Sequence, residues 1–216
     1  MAEAQKPTLT YFTLHGKADC IRMLLKKAGV DFNDVCLTFE EFGEQAAAGR
    51  FPAGQVPIWQ TADGKELNQC YAILRLLGRQ HGFYDSGNAE ESFKVDWALE
   101  TTLDYQITKA YRVQMNETST EEEVDAAKAA FAKYNGQIAG ALTKNNTTFF
   151  AGDRLTIADF VILSTYLCSA WNESCDKPIV QAHAETAAAT PIIGQYCDRV
   201  KAELGDIIAQ RAPFPV

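Results

Sequence analysis

The chain has 216 residues, 47% hydrophobic and 22% charged, an ordinary composition for a globular protein and enough length for one large domain or two small ones. No apolar run approaches the ~20 residues of a membrane helix, and residues 1–10 show no signal-peptide h-region. The net charge of −8 is uneven: residues 1–84 carry nine Lys and Arg against nine Asp and Glu, and residues 85–216 carry eleven against nineteen. An acidic second part argues against a surface that follows nucleic-acid phosphates, and the asymmetry suggests domains at 1–84 and 85–216. Cysteines 20, 36, 70, 168, 175 and 197 show no CxxC spacing and read as reduced thiols of a cytoplasmic protein.

Thr8–Phe12 reads as a short strand, followed by a turn at Gly16. Ile21, Leu24, Leu25 and Ala28 then recur at helical spacing, ending at Gly29. Residues 32–39 are a second strand, which makes a parallel, right-handed βαβ unit. A possible short helix and a loop marked by Gly49, Pro52 and Gly54 follow. Val56–Gln60 is a strand, and an Asp-Gly turn at 63–64 returns it into Lys65–Leu67. The next helix carries Cys70, Ile73, Leu76 and Leu77 on one face.

Asp85–Asn88 has linker composition, and every periodic segment after it is helical. Phe93, Trp97, Tyr105 and Tyr111 fall in one long helix to about Met115, read mostly as core and dimer interface. Thr120 and Glu123 form a capping box for a helix presenting Val124, Ala127, Phe131, Tyr134, Ile138 and Leu142. Thr156 and Asp159 form a second box, with Leu155 and Phe160 as its hydrophobic staple. The helix they open is apolar on nearly every face to Trp171 and should cross a core. Pro191 opens a last helix to about Gln210. His15, His81 and His183 lack metal-ligand spacing and read as surface residues.

Three features of the first part converge. Tyr11 ends the first strand, where it is either a packed strand residue or a phenol aimed into a cleft. Val56-Pro57 places a proline inside a strand, which a cis peptide would accommodate, leaving the Val56 backbone groups for an extended ligand. Gln69-Cys70 opens a helix, whose free N–H groups favour a carboxylate. Together they describe a site for a small acidic peptide.

At this point the chain resembles a cytosolic glutathione transferase of the tyrosine type, closest to the sigma class, over nearly its full length. The resemblance rests on Leu9-Thr-Tyr-Phe-x-x-x-Gly-Lys-Ala18, Gly54-Gln-Val-Pro57, Gln69-Cys-x-Ala-Ile73 and Phe150-Ala-Gly-Asp-x-Leu-Thr-Ile-Ala-Asp-Phe160. It implies an α+β chain: a thioredoxin-like N-terminal domain (β-α-β-α-β-β-α), then an all-helical bundle, assembled as a homodimer. It also implies glutathione as co-substrate, a small hydrophobic electrophile as partner, and no metal, membrane or nucleic acid. Tyr11 becomes the donor to the glutathione sulfur. A free thiol has a pKa near ~8.5, and a hydrogen bond from a phenol favours its anion. By the same resemblance Val56, before cis-Pro57, pairs with the cysteinyl backbone, and Gln69 and Cys70 hold the γ-glutamyl carboxylate. Lys17, Phe42 and Gln55 stand at the positions of further glutathione contacts. Glu100, or second to it Asp104, reaches the partner subunit's glutathione. Leu14, Tyr105, Tyr111, Val161, Thr165 and Phe214 line the electrophile pocket.

The chain departs from the family pattern at Cys70 (normally Ser), Gln55 (commonly Lys), Phe42 (often Trp) and Lys17 (Arg). A thiol is a weaker donor than a hydroxyl, so weaker glutathione affinity is expected. Three alternatives accompany this reading. They are a glutathione-dependent isomerase of the prostaglandin D synthase kind, a non-catalytic binding or structural relative, and a thiol oxidoreductase using Cys70.

Overall fold

The structure, a computed structural model, describes residues 5–51, 53–212 and 214; Pro52 of the predicted loop lies outside them. Thr8–Phe12 is β1, a 3-10 turn spans Gly16–Ala18, and α1 runs Asp19–Lys27. The predicted stripe Ile21, Leu24 and Leu25 is fully buried on α1. Next come β2 (Asn33–Leu37) and α2 (Phe39–Ala47). The expected strand at 32–39 stops at Leu37 because Thr38 caps α2. Its hydroxyl accepts from the Glu41 N–H at 3.1 Å, and its own N–H donates to Glu41 Oε2 at 2.7 Å.

Two short strands, β3 (Ile58–Gln60) and β4 (Glu66–Asn68), complete a sheet of order β2-β1-β3-β4. β2 lies parallel to β1 with Thr8 opposite Asn33, and β3 is antiparallel to β1 with Thr10 opposite Ile58. The helix α3 (Cys70–His81) follows, so the predicted β-α-β-α-β-β-α order is present. Its inward face is Cys70, Ile73, Leu74 and Leu77; Leu76, predicted to be inside, is half-buried, and Leu74, one turn beyond Cys70, takes its place.

All later elements are helical: α4 (Ala89–Ile107), α5 (Arg112–Met115), α6 (Glu121–Asn145), α7 (Ile157–Ser169), α8 (Pro178–Ala188), α9 (Pro191–Leu204) and α10 (Asp206–Ala209). Among them α7 is the axle. It packs against α4 on one side and α1 on the other, and almost all its side chains are buried, as its all-round apolar sequence requires. Asp159 holds its base. The carboxylate accepts from Thr156 N (2.7 Å), Thr156 Oγ1 (3.0 Å), Phe150 N (2.8 Å) and Tyr196 Oη (2.7 Å). Gly78 lets α3 approach this base, since a Cβ there would lie 2.7 Å from Ile157 Cγ2.

Three expectations need correction. The long helix to Met115 is interrupted at residues 108–111, where Lys109 takes φ 60° and Thr108 Oγ1 binds the Tyr105 carbonyl at 2.6 Å. The final helix breaks at Gly205, φ 53°, before α10. His15 and His183 are buried, not superficial. His183 stacks on Phe131 with centroids 4.3 Å apart, and burial lowers its pKa to about 4. α8 was not anticipated; its start is nonetheless marked by Pro178 at the first helical position.

Candidate active site

β1 delivers Tyr11 to the sheet end, and the chain then folds back over it. Tyr11 is only 7% exposed, and its hydroxyl accepts from the Lys17 N–H at 3.1 Å. That fold-back needs a residue without a side chain. Gly16 has φ 39°, and a Cβ on it would sit 2.7 Å from the Tyr11 hydroxyl oxygen. Arg22 braces the loop from behind. Its guanidinium donates to the Leu14 carbonyl at 2.7 Å and to both oxygens of Asp34 at 2.8 and 3.2 Å, and it lies 5.9 Å from the Tyr11 ring centroid. Burial pushes the Tyr11 phenol above its usual range, and the Lys17 N–H opposes that only in part. The phenol therefore stays protonated at neutral pH, and its one accepted bond leaves the O–H proton free to donate.

A second cluster lies behind this loop. Asp19 is 1% exposed; His15 Nδ1 approaches it at 3.1 Å, and Arg211 donates to both its oxygens at 3.2 and 2.9 Å. Burial disfavours the charge, but His15 and Arg211 together hold the carboxyl below the ordinary range. Phe214, predicted in the electrophile pocket, belongs here instead, 5.2 Å from the Arg22 guanidinium and 5.7 Å from the His15 ring. The Arg211–Asp19 pair draws the C-terminal segment to this side of α1.

Beside Tyr11 opens a cavity of about 210 Å³. Leu14, Tyr105, Tyr111 and Thr165, read above as electrophile-pocket residues, are among its lining, and so is Lys17, read as a glutathione contact. Val161 does not; it sits one turn earlier on α7 and is 2% exposed in the core. The sequence reading missed Phe39, Gln114, Met115, Cys168 and Ser169, which also line the wall. The interruption after α4 accounts for several of these, since it turns Tyr111 and α5 over the opening. Cys168 is no ready nucleophile, because burial pushes its thiol up to about 12.

The remaining predicted residues fall into two groups. The Val56–Pro57 bond is cis, and Val56 lies just beyond the β1–β3 ladder. Gln69 takes φ 72°, a conformation costly for a residue with a side chain, and places Cys70 as the first residue of α3. Cys70 Sγ donates to the Lys17 carbonyl at 3.0 Å. One peptide segment, 17, thus touches both Tyr11 and Cys70. The outlying group is different. Phe42 stacks on Phe51 at 5.1 Å and packs edge-on against Phe12, within an apolar cluster. Gln55 is exposed. Glu100 is engaged by Arg75 at 3.0 Å. Asp104 is exposed on α4.

Comparison with known proteins gives this geometry its context. Residues 7–79 match the family model described as glutathione S-transferase, N-terminal domain, and residues 104–200 match glutathione S-transferase, C-terminal domain. Glutathione S-transferase 3 of Caenorhabditis elegans is 32% identical over 160 residues, covering 71% of this chain and 75% of that protein. Glutathione S-transferase 1 of Ascaris suum is 30% identical over 215 residues, covering 96% and 97%. The crystal structure of the glutathione S-transferase from Ascaris lumbricoides superposes with a TM-score of 0.80 at 26% identity, covering 97% of this chain and 100% of that one. The thioredoxin-like sheet, the helical second part and these matches agree: the chain is an enzyme of the glutathione S-transferase family.

Proposed function

We propose that the protein conjugates the glutathione thiolate to small hydrophobic electrophiles, with Tyr11 as the group that stabilises the thiolate. The observation that carries this is the Tyr11 hydroxyl itself. It is buried at the cavity wall, fixed by the Lys17 N–H at 3.1 Å, and has its own proton to give. A ligand sulfur placed in the cavity would accept that proton's hydrogen bond as an anion, which lowers the thiol pKa below ~8.5 and makes the nucleophile available near neutrality. The sulfur then attacks the electrophilic carbon; in a substitution the leaving group departs with its bonding pair, and in an addition a proton is taken up by the carbanion that forms. Phe12, Leu14, Phe39, Tyr111 and Met115 offer an apolar wall to the electrophile.

In this reading the backbone of Val56 pairs with the cysteinyl residue of glutathione. Gln69, Cys70 and the first turn of α3 receive the γ-glutamyl carboxylate. Lys17, exposed beside the cavity, supplies a cation to the ligand. The domain boundary falls in Asp85–Asn88, ahead of α4. The assembly is a homodimer, for which the exposed Phe93 offers an apolar contact, and a sigma-like class fits the motifs. A cytoplasmic location is consistent with six free cysteines.

The test measures conjugation of glutathione to an aromatic chloronitro electrophile across pH. Tyr11→Phe should lower kcat at least about tenfold and move the pKa in the rate profile toward ~8.5, with little change in KM for glutathione. Cys70→Ser should retain activity. Full activity in Tyr11→Phe overturns the role given to the phenol; disulfide reductase activity lost only with Cys70 would favour an oxidoreductase instead.

A further inference from the structure

Two buried thiols from distant parts of the sequence meet beside the site. Cys20 lies in the first turn of α1 and Cys70 begins α3, and their sulfurs are 3.9 Å apart. Both point at one oxygen: the Lys17 carbonyl is 3.4 Å from Cys20 Sγ and 3.0 Å from Cys70 Sγ. The N–H of the same residue donates to the Tyr11 hydroxyl. Nothing in the reaction proposed above uses Cys20, and a single serine hydroxyl would satisfy the role given to Cys70.

We propose that Cys20 and Cys70 form a reversible dithiol–disulfide pair that gates the glutathione site. The sulfurs are already in van der Waals contact, so rotation about Cα–Cβ with a small approach of two packed helices brings them toward the ~2.05 Å of a disulfide. A hydroperoxide is the oxidant. Cys70 is the attacking thiol, since it begins α3, whose head faces the glutathione site in the reading above. Its sulfur attacks the peroxide, the O–O bond breaks, and one oxygen leaves as water or alcohol, giving a sulfenic acid. The Cys20 sulfur then displaces hydroxide from Cys70, and the Cys20 proton leaves with that hydroxide as a second water. Two thiols are oxidised and one peroxide is reduced. Two thiols of free glutathione reverse the bond, leaving as glutathione disulfide.

The bond acts on the site in two ways. It fixes Cys70 against α1, so that its sulfur no longer offers an S–H to a carboxylate at the head of α3. It also strips the Lys17 carbonyl of both S–H donors. The Lys17 peptide can then turn to find another partner, and a turn there disturbs the N–H that holds Tyr11. The gating rests on the glutathione reading above, whereas the disulfide itself does not.

The experiment treats the intact protein with graded hydrogen peroxide, then blocks remaining thiols and maps peptides by mass spectrometry. Binding is read by calorimetry with S-methylglutathione, which has no free thiol to reduce the bond. The expected result is a peptide linking residues 20 and 70, reversed by dithiothreitol. S-methylglutathione should bind about tenfold more weakly to the oxidised form, the scale of one lost hydrogen bond to a charged group. Cys20→Ser and Cys20→Ala, checked for native circular dichroism, should form no 20–70 link and should instead leave Cys70 as a sulfenic acid that dimedone labels; no dimedone label in either variant overturns the order of the two steps. Absence of the 20–70 link, or its appearance only in denaturant, overturns the pair. A link that forms without weakening binding overturns the gating. Failure of the reduced protein to bind S-methylglutathione, with the link present, refutes the glutathione reading and the gating with it, and leaves the pair established.

Discussion

Asp159 and Asp19 are both fully buried carboxylates, and their surroundings treat them oppositely. Asp159, at the base of α7, is met by neutral donors: two N–H groups and two hydroxyls. Burial outweighs them and its pKa is raised. Asp19, at the head of α1, is met by an imidazole and a guanidinium, and its pKa is lowered. Neutral donors tie Asp159 to a local motif and to α9, which makes it part of the scaffold. Arg211 and His15 tie Asp19 to the C-terminal segment and to the loop carrying Gly16, and the guanidinium makes that attachment sensitive to charge.

The severest challenge to this contrast is removal of each carboxylate. Asp159→Ala strands four donors in the core and should cost at least about 3 kcal/mol in urea unfolding, since each buried donor left unsatisfied costs about 1–3 kcal/mol. Asp159→Asn keeps one acceptor oxygen and should cost less, about 1–3 kcal/mol. If Asp159→Ala is nearly neutral, the base of α7 is held by packing alone.

Next in size is Arg211→Ala. It deletes a two-pronged, charge-assisted pair but leaves His15, so a loss of about 1–3 kcal/mol is expected. Unlike the Asp159 variants it should also loosen the segment that ends against Arg22, visible as faster amide exchange around residues 14–17. An exchange pattern unchanged from wild type would show that the C-terminal attachment does not support the Tyr11 loop.

The smallest effect is the sign of the pH dependence. The lowered pKa of Asp19 gives stability that is present above 3.8 and lost as pH falls through its folded value. The raised pKa of Asp159 gives the reverse, a contribution present below 3.8 and lost as pH rises through its folded value. His183 must first be removed from the comparison. Lowered from 6.5 to about 4, it makes stability fall as pH drops through that window. His183→Phe, which keeps the stack on Phe131, should flatten the curve there. In that background Asp19→Asn should abolish the acid-side loss, and Asp159→Asn should not.

The same two sites show how far a sequence can be read. Thr156 and Asp159 are three residues apart and announce a helix start, so the position of α7 was legible. That Tyr196 also bonds Asp159 was not, because the contact spans 37 residues. Likewise the strand, turn and helix around Tyr11 were clear from spacing, whereas a cis peptide at Pro57 was one of the ways a strand could hold a proline. The meeting of Cys20 with Cys70 depends on how α1 lies beside α3, and no local pattern encodes it. The break after α4 carries neither Gly nor Pro; a threonine hydroxyl and one left-handed lysine make it. Phe214 could be placed only once Arg211 was seen to pair with Asp19. His183 was misjudged because nothing near it in the sequence reports the Phe131 ring that receives it, and His15 because its pairing with Asp19, four residues on, shows only once both are seen to be buried.

Gly16 extends this lesson to a residue with nothing to contribute chemically. A side chain there would be strained by the left-handed backbone, and its Cβ, 2.7 Å from the phenol oxygen, would oblige the phenol or the loop to shift. The least reactive residue of the loop thus decides whether its most important hydroxyl keeps its place. A survey of this cavity that scores only acids, bases and nucleophiles would pass over a position where a single added carbon presses on the phenol while every functional group remains in the chain.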